Sequence, residues 1–334
     1  MENFLRDPAP EEASKLISSI YSMKSLCIRG PYDPDFVIFS SLISKYFKGE
    51  IGVSFSSTCD VTLEKRDTGS FLTVEGKEIY VGFSSFTSLL PLTIDDLVPM
   101  LAGISSDLIL YRRKPSPWEE NLFTKAQDLG VTEEKSLKIP GYREIPLFLS
   151  LSYSLDPYIP EISGNRENSL KLVREIGGNE FTKLSELDES QLNTLVFRLI
   201  TLLVKVNPKV DREELVVKRY FFHGYDFLEL GFASIYLLDK LGYPGLFDLA
   251  LSPSLFGPSL EIYRESLSLG FSLDMIEERN RYLVNTSLAS PLLAYVILRQ
   301  LGKKGKPVFV NDGNRVFTSR FFGNVGEVDS KDKD

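Results

Sequence analysis

Histidine is all but missing from this chain: its 334 residues hold one, His223. A metal site that needs imidazole cannot be completed on that count, and no nucleophile triad forms without a base beside a candidate serine. Cysteine is scarce as well. Cys27 and Cys59 are the whole supply, which fits a reducing compartment, and Cys27 lies in an apolar strand where a small buried hydrophobe is the expected role. Positive charge is in deficit: 38 Lys and Arg stand against 46 Asp and Glu, for a net charge of −8. Tight nucleic-acid binders carry the opposite balance, because phosphate neutralisation supplies most of their affinity. The balance here favours a protein partner over DNA. No apolar run approaches the length of a bilayer span. The opening M-E-N-F-L-R-D-P lacks the basic and apolar regions of a signal peptide, so a cytoplasmic location and no membrane contact are expected.

What is present is a globular composition, 43% hydrophobic and 25% charged, on a chain long enough for two domains with cores of their own. Residues 10–23 read as an amphipathic helix with Leu16, Ile17, Ile20 and Tyr21 on its apolar stripe. The strand S-L-C-I-R-G, a helix over 35–47 and the strand I-G-V-S-F (51–55) make a βαβ unit. E-I-Y-V-G-F (78–83) adds a strand and 97–107 a helix. Helices over 117–129 and 166–176 follow, the second closed by Gly177-Gly178. A strongly apolar helix covers 190–206 and a connector 206–214. Beyond it the pattern predicts helices over 225–241, 245–252, 257–269, 272–281 and 289–301. N-D-G-N between K-P-V-F-V and R-V-F-T-S signals a hairpin. The last eleven residues hold too few apolar side chains to pack.

The stretch that speaks most directly to chemistry is L-C-I-R-G-P-Y-D-P-D-F (26–36), a buried strand running into an Asp-x-Asp turn and a helix. α/β enzymes gather carboxylates around divalent ions at such a place. Asp33 and Asp35, helped by Asp107, could hold a magnesium or manganese ion on oxygen ligands and water alone. The plainer reading is that Asp33-Pro34-Asp35 turns the chain and caps the helix, with Asp107 a turn or capping residue. Asp60 is the only other acid close to a strand end in this half. His223, in Y-F-F-H-G-Y, reads as a buried or half-buried structural residue.

Two longer stretches resemble the DHH phosphoesterase superfamily, and within it the archaeal RecJ-like branch. L-D-P-Y-I-P-E-I-S-G-N-R-E-N-S-L-K-L-V-R-E-I-G (155–177) is similar to that family's Pro-Tyr-x-Pro-x-x-x-Gly-Asn loop and the helix after it. Residues 225–251 resemble the helix that crosses toward the C-terminal domain. In order between and around them, P-Y-D-P-D-F (31–36) matches His-x-Asp-x-Asp-Gly, L-A-G-I-S-S-D (101–107) the Ala-Gly…Asp motif, and V-F-T-S-R-F (316–321) the Ser-Ala-Arg segment.

The resemblance implies an α/β fold: a degenerate, parallel-sheet DHH-like domain over 1–180, a helical connector over 181–224, and a smaller, truncated α/β DHHA-like domain over 225–322. A disordered acidic tail over 323–334 would follow. It also implies a metal pocket stripped of its ligands. Pro31 stands at the first histidine position, and Phe83, Ser84 and Ser85 stand where the Asp-His-His signature should follow strand 78–82. No Gly-Gly-His loop is found. A RecJ-like scaffold without its chemistry resembles the Cdc45 type of replication factor, crenarchaeal form. That resemblance implies no catalytic residue, no metal and no cofactor, with the GINS complex and the MCM helicase as partners in a nucleoid-associated assembly. Weak contact with single-stranded DNA through Arg112, Arg113, Lys303 and Lys304 is a further expectation. The alternative is a manganese-dependent RecJ-like exonuclease or phosphodiesterase working on Asp33, Asp35 and Asp107.

Overall fold

The computed structural model describes residues 10–208 and 212–323. Helix α1 (Pro10–Tyr21) leads into strand β1 (Ser25–Arg29), helix α2 (Pro34–Tyr46) and strand β2 (Glu50–Ser54). β1 and β2 pair in parallel, as the expected βαβ unit requires. The sheet then continues with β3 (Val61–Arg66), β4 (Gly69–Val74) and β5 (Lys77–Tyr80), in the order β2-β1-β3-β4-β5. β1 and β3 are parallel, whereas β3, β4 and β5 form an antiparallel meander, so the sheet is mixed. Strands over 61–74 were not foreseen. Four of the six residues of V-T-L-E-K-R are charged or hydroxylic, yet its Val61 and Leu63 alternate inward into the core.

Helix α3 (Leu97–Leu110) is buried along nearly its whole length. After α4 (Pro117–Gln127) comes β6 (Thr132–Leu137), then α5 (Leu147–Ser152), α6 (Arg166–Glu175), α7 (Glu189–Val204) and the short α8 (Arg212–Leu215). Strand β7 (Val216–Phe222) returns to pair antiparallel with β6 and closes a hairpin with β8 (Tyr225–Asp226). The stretch expected as a helical connector over 181–224 therefore ends in a strand. His223 and Gly224 form its two-residue turn with φ of 46° and 82°, the left-handed pair such hairpins demand. His223 is exposed at the tip against the Phe222 ring, not buried as expected.

Helix α9 (Phe227–Leu251) joins the helices expected at 225–241 and 245–252. It breaks at Gly242, where φ is 71°, two residues before Pro244 removes a backbone donor. α9 packs on α3 and α2 in the largest apolar cluster, which runs from α1 onward. A second cluster belongs to β6, β7 and the helices between them.

The C-terminal part has α10 (Phe256–Ser268), β9 (Asp274–Glu277), β10 (Tyr282–Asn285), α11 (Pro291–Gln300), β11 (Val308–Asn311) and β12 (Val316–Thr318). Its sheet runs β12-β11-β10-β9 over a small third cluster. The β11–β12 hairpin lies where N-D-G-N places it. The helix expected over 272–281 is instead β9, paired antiparallel with β10; sheet pairing overrides the helix-forming residues of that segment. The tail expected over 323–334 falls, beyond Gly323, outside the described residues.

The two cysteines also differ from expectation. β3 lies parallel beside β1, with Ile28 opposite Val61, which brings Cys59 alongside Cys27. Their sulfurs are bonded, with the Cα atoms 4.9 Å apart. Cys27 is thus a half-buried disulfide partner, not a free apolar side chain.

Candidate functional site

Asp33 ends the strand-to-turn passage in extended conformation and caps α2, its Oδ1 accepting from Phe36 N–H at 2.8 Å. That is the capping role read from the sequence, but only one oxygen is spent on it. Its Oδ2 turns inward, as does the Asp35 carboxylate one half-turn on, and both side chains are wholly buried. α3 brings Asp107 to the same point from across the core. The three acids singled out in the sequence do converge.

What lies at their centre was not anticipated. The Lys65 ammonium reaches in from β3 and donates to Asp33 Oδ2 at 3.1 Å, to Asp35 Oδ2 at 3.4 Å and, closest, to Asp107 Oδ1. The Lys65 side chain is 12% exposed. It lies 4.2 Å from the centre of the Tyr111 ring and 5.1 Å from that of Phe86, so aromatic faces flank the charge. Tyr111 itself donates its hydroxyl to Asp33 Oδ2 at 2.8 Å. A signal for Lys65 was present in the sequence: it shares parity with Val61 and Leu63, so β3 must aim it into the core. Without a strand assigned to 61–66 that signal could not be used.

A second cation closes the far side. Arg113 donates to Asp107 Oδ2 at 2.6 Å and makes a two-pronged contact with Glu119 at 2.6 and 2.7 Å. Glu119 is fully buried at the start of α4, in a capping box with Ser116. The loop after β5, where further ligands were sought, supplies donors instead. Phe86 N–H and Thr87 N–H meet Asp35 at 2.7 and 3.0 Å, and the Thr87 hydroxyl adds a third bond at 2.6 Å. Ser85 N–H donates to Glu119 at 2.9 Å, Ser84 and Ser116 share a hydrogen bond, and Phe83 is half exposed. Pro31 contributes only its carbonyl, to Asp33 N–H.

Burial away from water raises the Asp35 carboxyl against the pull of Lys65, and repulsion from Asp107 and Asp33 adds to it, pushing the group up to about 7. Burial works the other way on Lys65, but the surrounding carboxylates hold its ammonium well above the ordinary lysine value. Asp107 likewise resists the effect of burial: Lys65 and Arg113 keep it below the usual carboxylate range.

The DHH-like fold implies divalent metal ions at this place, and the residues do not fit one. Lys65 Nζ fills the point where the carboxylates meet, and the Asp35 oxygens are already engaged by loop donors. Among the described residues no group of three or more His, Cys, Asp or Glu side chains is disposed to hold a metal. Asp60 lies apart, exposed and accepting from Cys27 N–H at 3.3 Å.

The four basic candidates have different surroundings. Arg113 is committed to Asp107 and Glu119 and is withdrawn as a DNA contact. Lys303 pairs with Glu277 at 2.8 Å. Arg112 is exposed, in a left-handed conformation, with one guanidinium nitrogen 3.3 Å from the Arg299 carbonyl. Lys304 is exposed. Among the described residues no helix is long and apolar enough to cross a membrane.

Fold and pocket together define an α/β protein of the DHH-like class, with a cation built into its acidic centre. Comparison with known proteins supplies the family. The model of the archaeal Cdc45 family matches residues 1–330, and the chain belongs to that family. Among solved structures, the crystal structure of Cdc45 from Entamoeba histolytica superposes with a TM-score of 0.56 at 9% identity, covering 91% of this chain and 86% of that one. At that identity the likeness speaks for the fold. No curated protein sequence matches the chain. Family membership gives it a Cdc45-like role in replication.

Proposed function

We propose that the chain is a catalytically inactive scaffold of the archaeal replicative helicase assembly, one that binds the GINS complex and supports MCM at the fork. The observation that carries the inactive part is Lys65 in the acidic pocket. A nuclease of this fold needs its carboxylates free for metal ions that activate water, and here an ammonium takes their place. Family membership over residues 1–330 supports the replication part, and the net charge of −8 supports a protein partner over DNA. Contact with single-stranded DNA is weak in this reading and rests on Arg112, Lys303 and Lys304, of which Lys303 is already neutralised. The nuclease alternative has the convergence of Asp33, Asp35 and Asp107 in its favour, and Lys65 between them against it.

Affinity purification of the full chain from its own cells at moderate salt tests the proposal. GINS and MCM subunits in comparable amounts are the expected result. Recovery of the chain alone, or manganese-dependent nucleotide release that is lost in Asp33→Ala, would overturn it.

A further inference from the structure

Inward positions of a core strand call for apolar side chains, and burying a lysine there costs several kcal/mol unless the charge is well paired. β3 obeys the rule at Val61 and Leu63 and breaks it at Lys65. The pairing that offsets this is unusually complete. A lysine ammonium has three N–H donors, and three carboxylate oxygens, from Asp33, Asp35 and Asp107, receive them. These acids come from the cap and first turn of α2 and from α3, so one nitrogen ties together three elements. One carboxylate would suffice to neutralise a structural lysine. Three converging on a point is how protein oxygens hold a hard divalent cation, and here the point is a nitrogen.

The count of charges leads the same way. Around the pocket stand four buried carboxylates, Asp33, Asp35, Asp107 and Glu119, and two cations, Lys65 and Arg113. Arg113 is shared between Asp107 and Glu119, which leaves Lys65 as the only cation touching Asp33 and Asp35 among the described residues. Removing Lys65 would leave those two facing Asp107 in a space closed to water, with positive charge the missing ingredient.

We propose that Lys65 is a tethered cation standing in for a divalent metal ion. It supplies the charge that holds Asp33, Asp35 and Asp107 together and it bars the pocket to Mg2+ or Mn2+, so that a substitution removing it turns the pocket into a divalent-cation site. This deepens the inactive-scaffold reading and rests on it only for the absence of activity; no partner is needed to test it.

The test compares the intact chain with Lys65→Ala by thermal unfolding and by Mn2+ binding, read from the electron paramagnetic resonance of free Mn2+, in chelator and in millimolar MnCl2. The intact chain should keep one melting temperature in both buffers and take up no stoichiometric Mn2+. Lys65→Ala should melt about 5–10 °C lower in chelator, the scale expected when one partner of a buried ion pair is deleted. It should regain most of that loss in MnCl2 and bind about one Mn2+ per chain. Lys65→Ala/Asp33→Asn carries the test if the single variant does not fold. Asparagine caps α2 as well as aspartate does and removes one of the unpaired charges, so the double variant should recover folded protein without metal.

Stoichiometric Mn2+ uptake by the intact chain would overturn the proposal, because Lys65 would then exclude nothing. So would a Lys65→Ala chain that melts low and responds neither to Mn2+ nor to Asp33→Asn, since Lys65 would then be a packing residue. Neither result bears on GINS binding, so failure here and failure of the scaffold reading remain distinguishable.

Discussion

Two buried ionic clusters hold this molecule together, and they are built on opposite principles. At the start of α9, Arg219 pairs with Asp226, and Arg264 grips Glu229 through two bonds of 2.7 and 2.8 Å. Inside the cluster two cations meet two buried carboxylates, and a third, Glu261, takes an Arg264 nitrogen at 2.7 Å from the exposed rim; Arg219 also bonds the carbonyls of Leu137 and Ile139, and Gly141 N–H reaches Asp226 at 3.0 Å. That cluster is a joint, sewing β6 and β7 to α9, and its charges balance. The pocket around Lys65 sets four carboxylates against two cations, and Asp35, raised to about 7 chiefly by burial, takes a further push from Asp107 and Asp33. A cluster made only for stability has no reason to carry surplus charge. The imbalance marks the Lys65 pocket as a place shaped for a cation, and the balance marks the Arg219 joint as structure.

The largest effect expected from this contrast is at the joint. Arg219→Ala leaves Asp226 buried without a cation and two carbonyls without a donor. It should lower stability by about 3–5 kcal/mol in a denaturant titration. A loss below about 1 kcal/mol would show that the joint is wetter than its burial indicates.

Buried carboxyls, one of them in the pocket, make a pH signature next in size. Asp35 is raised to about 7 and Asp239, behind the first turn of α11, to about 6, both chiefly by burial. A carboxyl raised on folding binds its proton more tightly in the native state. Its contribution is complete below the ordinary value of 3.8 and is lost as pH rises through the folded value. Stability should therefore fall between about pH 4 and pH 7, by about 3 kcal/mol for the buried Asp35 alone. Asp107, held low, titrates below this window and does not offset it. Asp239→Asn keeps an acceptor for Ser290 and Leu292 N–H and should flatten the lower part of the slope. Urea titrations at several pH values read both, and a curve rising from pH 4 to 7 would refute the assignment.

How much of this was legible beforehand depended on which strands could be recognised. The βαβ unit, the cap at Asp33, the helices α4, α6 and α7 and the β11–β12 hairpin rest on local signals, namely apolar period, capping residues and Asx-Gly turns, and each is found where expected. Asp33, Asp35 and Asp107 could be named because the turn and helix that carry them read clearly. Lys65, the disulfide and the strand β9 could not, because each depends on pairing between distant segments. V-T-L-E-K-R looks like surface until β1 lies beside it, and the same pairing brings Cys59 to Cys27. His223 was misplaced for a related reason: an exposed turn tip and a buried aromatic run look alike until β7 and β8 are known to pair.

A smaller effect sharpens the link between pocket and cap. Ser116 accepts from Glu119 N–H, and Glu119 accepts from Ser116 N–H while holding Arg113. Ser116→Ala should cost about 1 kcal/mol as an N-cap loss. If the cap also positions Glu119 for Arg113, the cost should shrink in an Arg113→Met background, which a double-mutant cycle measures. Full additivity would mean that cap and pocket are independent.

The smallest expected change is the most discriminating. Replacing Glu229 and Arg264 together by methionine removes a matched pair of opposite charges and leaves apolar volume in their place. Buried pairs exchanged as a whole for well-packed apolar residues are often neutral, so the double variant should lie within about 1 kcal/mol of the parent. Arg264→Met alone should cost about 3 kcal/mol, because Glu229, 1% exposed at the side chain, is then a buried charge without a partner. No such paired deletion exists at the Lys65 pocket: taking out Lys65 with any one of its three acids still leaves the other two carboxylates there. If Glu229→Met/Arg264→Met proves as destabilising as the single variant, balance is not what distinguishes the two clusters, and the surplus charge around Lys65 loses its meaning.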